Sequence, residues 1–130
     1  MLKRDPEFRL RRCWEDAPQN RRGMCCQGNT DTLPGIDLIY PDPGFIVDKK
    51  EDLLGIVLTH AHEDHIGAIA HLWPELKCKI FATPFTSVLI KEKFKEKHID
   101  ITKYLKIVQL NGIVDLDPFK IEYITLTHSI

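Results

Sequence analysis

Apolar residues in this chain come in short runs separated by polar loops, which is typical of alternating strands and helices. The run Leu53–Leu58 is continuous and has the length of a strand, so it predicts a strand buried on both faces of a sheet. Shorter apolar runs predict further strands at Ile36–Tyr40, Lys79–Ala82, Tyr104–Leu110, Ile113–Leu116 and Lys120–Thr127. Strands that alternate with helices indicate an α/β fold.

Two segments between the predicted strands have helical features. Asp64–Trp73 predicts a short helix that ends at Pro74, because proline removes a backbone donor. A longer helix is predicted from Pro84 to about His98, with Thr83 as its capping residue. Its expected apolar face consists of Phe85, Val88, Leu89 and Phe94, and its solvated face of Lys91, Glu92, Lys93, Lys95, Glu96 and Lys97.

Length and composition indicate one small globular domain. The chain has 130 residues, of which 43% are apolar and 28% are charged, and its net charge is −1. This charge gives the whole chain no electrostatic preference for nucleic acid or membranes. Residues 1–22, however, carry seven Lys or Arg and four acidic residues. We predict that residues 1–34 form an irregular basic segment, a solvated tail rather than an RNA contact, and that residues 35–130 form the domain.

The cysteines and the apolar runs indicate a protein of the cytoplasm. Cys13, Cys25, Cys26 and Cys78 lack the spacing of a disulfide framework, so we expect reduced thiols. No run approaches the roughly 18 apolar residues of a membrane span, and the N-terminus lacks the apolar region of a signal peptide.

The segment LTHAHEDHIG, which directly follows the buried strand, carries the candidate chemistry. Its polar residues have the order His60-x-His62-x-Asp64-His65. Imidazole nitrogen and carboxylate oxygen are zinc ligands, and residues two apart in an extended loop project to the same side. His60 and His62 are therefore expected to bind one ion together. Asp64 and His65 fall where the chain turns into a helix and are expected to point another way, toward a second ion.

The remaining histidines and Glu63 have separate expectations. His128 follows the last predicted strand and is the candidate third ligand of the first ion. His71 and His98 are isolated, so we expect structural or surface roles for them. Glu63 lies between ligand positions and is expected to face solvent or a neighbouring residue that supports the site.

The motif THAHEDHIG resembles the HxHxDH signature of the metallo-β-lactamase fold hydrolases. The segments GIDLIYPDPGFI, VLTHAHEDHIGAIAHLWPEL, KIFATPFTSVLIKEKFKE and LTHSI resemble, in this order, the N-terminal part of bacterial ribonuclease J in the β-CASP branch. The resemblance covers roughly residues 35–130.

This resemblance implies an αββα sandwich with two zinc ions that hydrolyses RNA both from the 5′ end and internally, in mRNA decay and RNA maturation. By the same resemblance, His60, His62 and His128 would bind one zinc, and Asp64 and His65 the other. Asp64 would also position the attacking hydroxide.

The chain departs from the family pattern at its C-terminal side. No counterpart is found for the family's bridging aspartate or for its β-CASP domain. We therefore expect the first half of the sandwich only, with one zinc or none and little or no nuclease activity of its own. The expected partners are RNA, a second copy of the chain or a complementing downstream fragment. Two alternatives stay open: another hydrolase of this fold, of thioesterase or lactonase type, or a non-catalytic remnant that binds metal or RNA.

Overall fold

The computed structural model describes residues 2–3 and 43–127, in which strands and helices alternate. A 3₁₀ turn, Lys50–Asp52, precedes the second strand. The other elements are β1 (Leu2–Lys3), α1 (Gly44–Val47), β2 (Leu53–Val57), α2 (Glu63–Ile66), α3 (Ile69–Leu76), β3 (Ile80–Ala82), α4 (Pro84–Glu96), β4 (Leu105–Ile107), β5 (Ile113–Leu116) and β6 (Phe119–Glu122). This alternation confirms the predicted α/β fold.

The main sheet has the strand order β1-β2-β3-β4, and β5 and β6 form a separate antiparallel pair. Strands β2, β3 and β4 are parallel because helices connect them, whereas β1 is antiparallel to β2. Leu2–Lys3 thus departs from the irregular structure expected of the N-terminal segment. The predicted strand Ile36–Tyr40 lies outside the described residues.

Strand β2 is the buried strand that its sequence predicted. Leu53 and Ile56 are buried, and so is Leu58 directly after the strand. At Gly55 the neighbouring strand comes so close that a Cβ atom would lie 2.9 Å from both the carbonyl oxygen of Lys79 and the Phe81 ring. Close packing against β3 therefore requires glycine at this position.

The core lies between the main sheet and the helices. Ile80 and Ala82 of β3 and Ile90 and Phe94 of α4 have no exposed surface. Trp73 packs edge-on against Phe94, with ring centroids 5.7 Å apart. A second, smaller cluster (Phe81, Val108, Val114 and Tyr123) joins β3 to the β5–β6 pair.

The predicted helix Asp64–Trp73 is wrong in two respects. It is divided into α2 and α3 at Gly67 and Ala68, and α3 continues through Pro74 to Leu76. Pro74 lacks the N–H that would reach the carbonyl of Ala70, and α3 ends two residues after it. The helix then ends at Lys77, which has a left-handed backbone and donates its N–H to the carbonyl of Trp73.

The long helix was placed correctly, but half of its predicted apolar face was wrong. Phe94 is buried and Leu89 packs partly buried against the core, as predicted. Phe85 and Val88 are more than half exposed. The buried residues of α4 are Thr86, Ser87, Ile90 and Phe94. The three predicted C-terminal strands exist, although β4 and β6 are shorter than expected.

Candidate metal centre

The histidine loop begins where β2 leaves the sheet. Leu58 donates its N–H to the carbonyl of Phe81 at 2.9 Å, which keeps the chain extended beside β3. Ala61 is buried, whereas His60 and His62 on either side of it are only partly buried. His62 has an extended backbone, with φ −65° and ψ 147°, immediately before α2. Alternation therefore turns Ala61 toward the core and both imidazoles toward the opposite side.

The His60 and His62 side chains are in direct contact. Nε2 of His60 lies 2.9 Å from Nδ1 of His62, and the ring centroids are 4.6 Å apart. The expectation that these two residues share one side of the loop is confirmed. Imidazole nitrogens are donors of the kind that bind transition metals.

Asp64 and His65 extend this group. Nε2 of His65 lies 3.5 Å from Oδ2 of Asp64, and both side chains are nearly half exposed. The His65 ring also lies against His60, with centroids 4.1 Å apart. His65 is thus closer to His60 than the expectation of two separately directed pairs implied. The four side chains form one polar cluster at the carboxyl end of β2, where α/β folds place ligands.

The spacing of the histidine nitrogens fits a shared metal ion. Two nitrogen ligands of one tetrahedral zinc, each about 2.0–2.1 Å from the ion, lie roughly 3.3 Å apart. His60 Nε2 and His62 Nδ1 are 2.9 Å apart, slightly closer than this spacing. Within residues 43–127, no three His, Cys, Asp or Glu side chains converge on one point as a complete metal site. The described pair therefore requires a further ligand.

His128, the predicted third ligand, lies outside the described residues, and its role stays a prediction. The segment before it is anchored at two points. The Tyr123 hydroxyl donates to the carbonyl of Phe81 at 3.0 Å. Thr125 contacts the side-chain oxygen of Asn111 through its N–H at 3.4 Å and its hydroxyl at 3.3 Å. Because Phe81 belongs to β3, the first contact ties this segment to the sheet that carries the histidine loop.

Two supporting contacts were missed at the level of sequence. The Thr59 hydroxyl lies 2.9 Å from Nδ1 of His60, a contact compatible with the tautomer in which Nε2 presents its lone pair. Nζ of Lys93 lies 2.6 Å from Oε1 of Glu63, so Glu63 contacts a neighbouring side chain. Because Thr59 adjoins the motif, its contact with His60 could have been predicted. Lys93 lies 30 residues from Glu63, and no local pattern indicates their contact.

His71 and His98, the two described histidines outside the motif, have different surroundings. Burial, followed by the positive charges of Lys97 and Lys93, lowers the pKa of His71 below its usual value. His98 is exposed and has a left-handed backbone with φ 56°, just after α4. Both observations agree with structural or surface roles.

Most of the chain matches a known protein family. Residues 30–129 match the metallo-beta-lactamase superfamily. The chain belongs to this superfamily. Membership implies dependence on metal, and the predicted family and fold are confirmed. Among the described residues, no helix is long and apolar enough to cross a membrane.

Several proteins to which this chain is similar are named ribonuclease J. The chain is 37% identical over 100 residues to ribonuclease J of Sinorhizobium meliloti, an alignment that covers 75% of this chain and 17% of the relative. It is 40% identical over 99 residues to ribonuclease J of Helicobacter pylori, covering 75% and 14%. Identity to ribonuclease J 2 of Staphylococcus aureus is 35% over 100 residues, covering 77% and 18%. The chain thus spans less than a fifth of the length of these relatives.

Proposed function

We propose that the histidine cluster is the metal-binding part of an RNA-hydrolysing centre of ribonuclease J type. The observation that carries this proposal is the 2.9 Å contact between the His60 and His62 nitrogens at the end of β2. Similarity to ribonucleases J over three quarters of the chain supports RNA as the substrate. The substrate bond is then a phosphodiester.

Zinc is the proposed metal because the donors are imidazoles and a carboxylate. His60, His62 and His128 would hold one ion, and Asp64 and His65 the other. Bound zinc would supply a Lewis acid for a phosphoryl oxygen and make water more acidic.

Thr59 and Asp64 have proposed roles other than holding the metal. Thr59 would orient the His60 ring through Nδ1. Asp64, whose carboxylate lies beside the His65 ring, would accept a hydrogen bond from the attacking water and direct it toward phosphorus. Its exposed position leaves it accessible to a substrate as large as RNA.

An RNA cleavage assay tests the proposal by asking whether cleavage requires zinc and His62. The full chain is incubated with labelled 5′-monophosphorylated RNA, with zinc or with a chelator, beside His62→Ala. A matched control, His98→Asn, removes an exposed imidazole outside the cluster and keeps a side chain suited to its left-handed backbone. We expect a low rate that falls at least about tenfold in His62→Ala and with chelator, but not in His98→Asn.

Two results would contradict this function. Equal RNA cleavage by the wild type and His62→Ala would show that the cluster is not responsible, and cleavage unchanged by the chelator would exclude a metal-dependent centre. A thioester and a lactone are assayed in parallel. Their zinc-dependent hydrolysis without RNA cleavage would favour a thioesterase or lactonase of the same fold.

A further inference from the structure

The ion pair between Glu63 and Lys93 connects the histidine loop to a distant helix. Glu63 is the first residue of α2, and Lys93 lies in the third turn of α4, 30 residues further along the chain. Their charged atoms are 2.6 Å apart. The Lys93 side chain is 26% exposed and that of Glu63 49%, so the pair is partly shielded on the lysine side.

The turn that carries Asp64 and His65 depends on such external support. Helix α2 has four residues, and its capping residue His62 makes no side-chain cap hydrogen bond. An isolated helix of this length is unstable in water, because few hydrogen bonds offset the cost of nucleation. Its backbone hydrogen bonds include Gly67 N–H to the carbonyl of Glu63 at 2.7 Å.

Two side chains fix this turn from opposite ends. Ile66 is 1% exposed and anchors the last residue of α2 in the core. Glu63 anchors the first residue through Lys93. Asp64 and His65 lie between these anchors, so both their position and the rotation of the turn are defined.

We propose that Lys93 is a positioning residue of the metal centre, which holds Asp64 and His65 in place through its ion pair with Glu63. The metal part of this inference rests on the proposed function. Exposed ion pairs contribute modestly, so we expect effects of about two- to fivefold. Lys93→Met removes the charge and keeps much of the apolar stem.

Lys97→Met is the matched control. Lys97 lies one turn further along from Lys93, is exposed, and also lowers the pKa of His71. Its substitution therefore removes the same charge near α3 without breaking the pair with Glu63. Lys93→Arg keeps the positive charge and a donor for Glu63, and serves as the rescue variant.

Amide hydrogen exchange of the metal-free chain tests the positioning role first. Exchange at Ile66 and Gly67, whose N–H groups close the α2 turn, is compared with exchange at Ile90 in the core of α4. In Lys93→Met we expect about two- to fivefold faster exchange at the turn and an unchanged exchange rate at Ile90. Lys97→Met and Lys93→Arg are expected to resemble the wild type.

Zinc affinity, measured by competition with a chromophoric chelator, completes the test. We expect about two- to fivefold weaker binding in Lys93→Met, wild-type binding in Lys97→Met, and recovery in Lys93→Arg. Equal effects of Lys93→Met and Lys97→Met would overturn the proposal, as would faster exchange without any loss of affinity in a chain that binds zinc. If the wild type binds no zinc but Lys93→Met alone loosens the turn, the ion pair holds the loop and the proposed function fails instead.

Discussion

At the scale of single residues, the histidine loop is held by contacts of two kinds, local and distant. Alternation along an extended chain was enough to bring His60 and His62 to the same side, because that geometry is local. The contact of Lys93 with Glu63 depends on how α4 packs beside α2, which no local pattern encodes. Supporting residues of this kind become visible only when distant segments are placed together.

Cys78 provides a prediction at the same scale. It follows α3 and its carbonyl accepts a hydrogen bond from Nε1 of Trp73 at 2.8 Å. Its thiol is partly buried, and burial raises its pKa to about 11 from a reference value of 9.0. The folded chain therefore keeps this proton at a pH where the unfolded chain has lost it.

The free energy of unfolding is expected to fall as the pH rises from about 9 to about 11. The raised pKa contributes stability that is fully present below pH 9 and is lost as the pH passes through the folded value. We expect a loss of about 2 kcal/mol, less than the roughly 2.7 kcal/mol of a two-unit difference, because the thiol is partly exposed to solvent. Urea unfolding of the wild type and Cys78→Ala at several pH values measures the difference. The other ionisable groups are common to both chains, so an unchanged pH slope in Cys78→Ala would contradict the burial of this thiol.

At the scale of elements, helix α4 shows why a helix is easier to predict than its buried face. Phe85 and Val88 are apolar, and sequence reasoning placed them inside, yet the chain buries Thr86 and Ser87. Hydrogen bonds make this arrangement possible: the Thr83 and Thr86 hydroxyls are 2.9 Å apart, and Ser87 donates to the carbonyl of Pro84 at 2.6 Å. Small hydroxyl residues with local partners can therefore occupy a core position.

Two aliphatic substitutions in α4 distinguish the observed face from the predicted one. Ile90 is completely buried and Val88 is 54% exposed. We expect Ile90→Ala to lower the free energy of unfolding by about 2–4 kcal/mol, because it leaves a cavity, and Val88→Ala by less than about 0.5 kcal/mol. The midpoint and slope of urea unfolding measure both values. Comparable losses, or a larger loss in Val88→Ala, would restore the face that the sequence predicted.

At the scale of the whole molecule, the order of strands and helices was largely predictable. Leu53–Leu58 and Lys79–Ala82 have continuous apolar character, and they form adjacent parallel strands. The exact ends were less predictable. β6 ends at Glu122, which pairs with Ile113, the first residue of β5, so it stops before the Thr127 of the prediction. The extent of the partner strand, which an apolar run does not reveal, coincides with the end of β6.

The central claim is that this fold assembles a metal site from the histidine loop. It combines superfamily membership over residues 30–129 with the contact of His60 and His62 and the predicted ligand His128. His128, the predicted third ligand, lies more than 60 residues after the loop, so the proposed site would draw on distant parts of the chain.

Zinc per folded chain, determined by elemental analysis of purified monomer, tests this claim most directly. The double variant His60→Ala/His62→Ala and the single variant His98→Asn are measured beside it. We predict about one zinc or more per wild-type chain, retained in His98→Asn and lost in the double variant. Folded wild-type protein without zinc, or equal zinc in the double variant, would contradict a metal site at this loop.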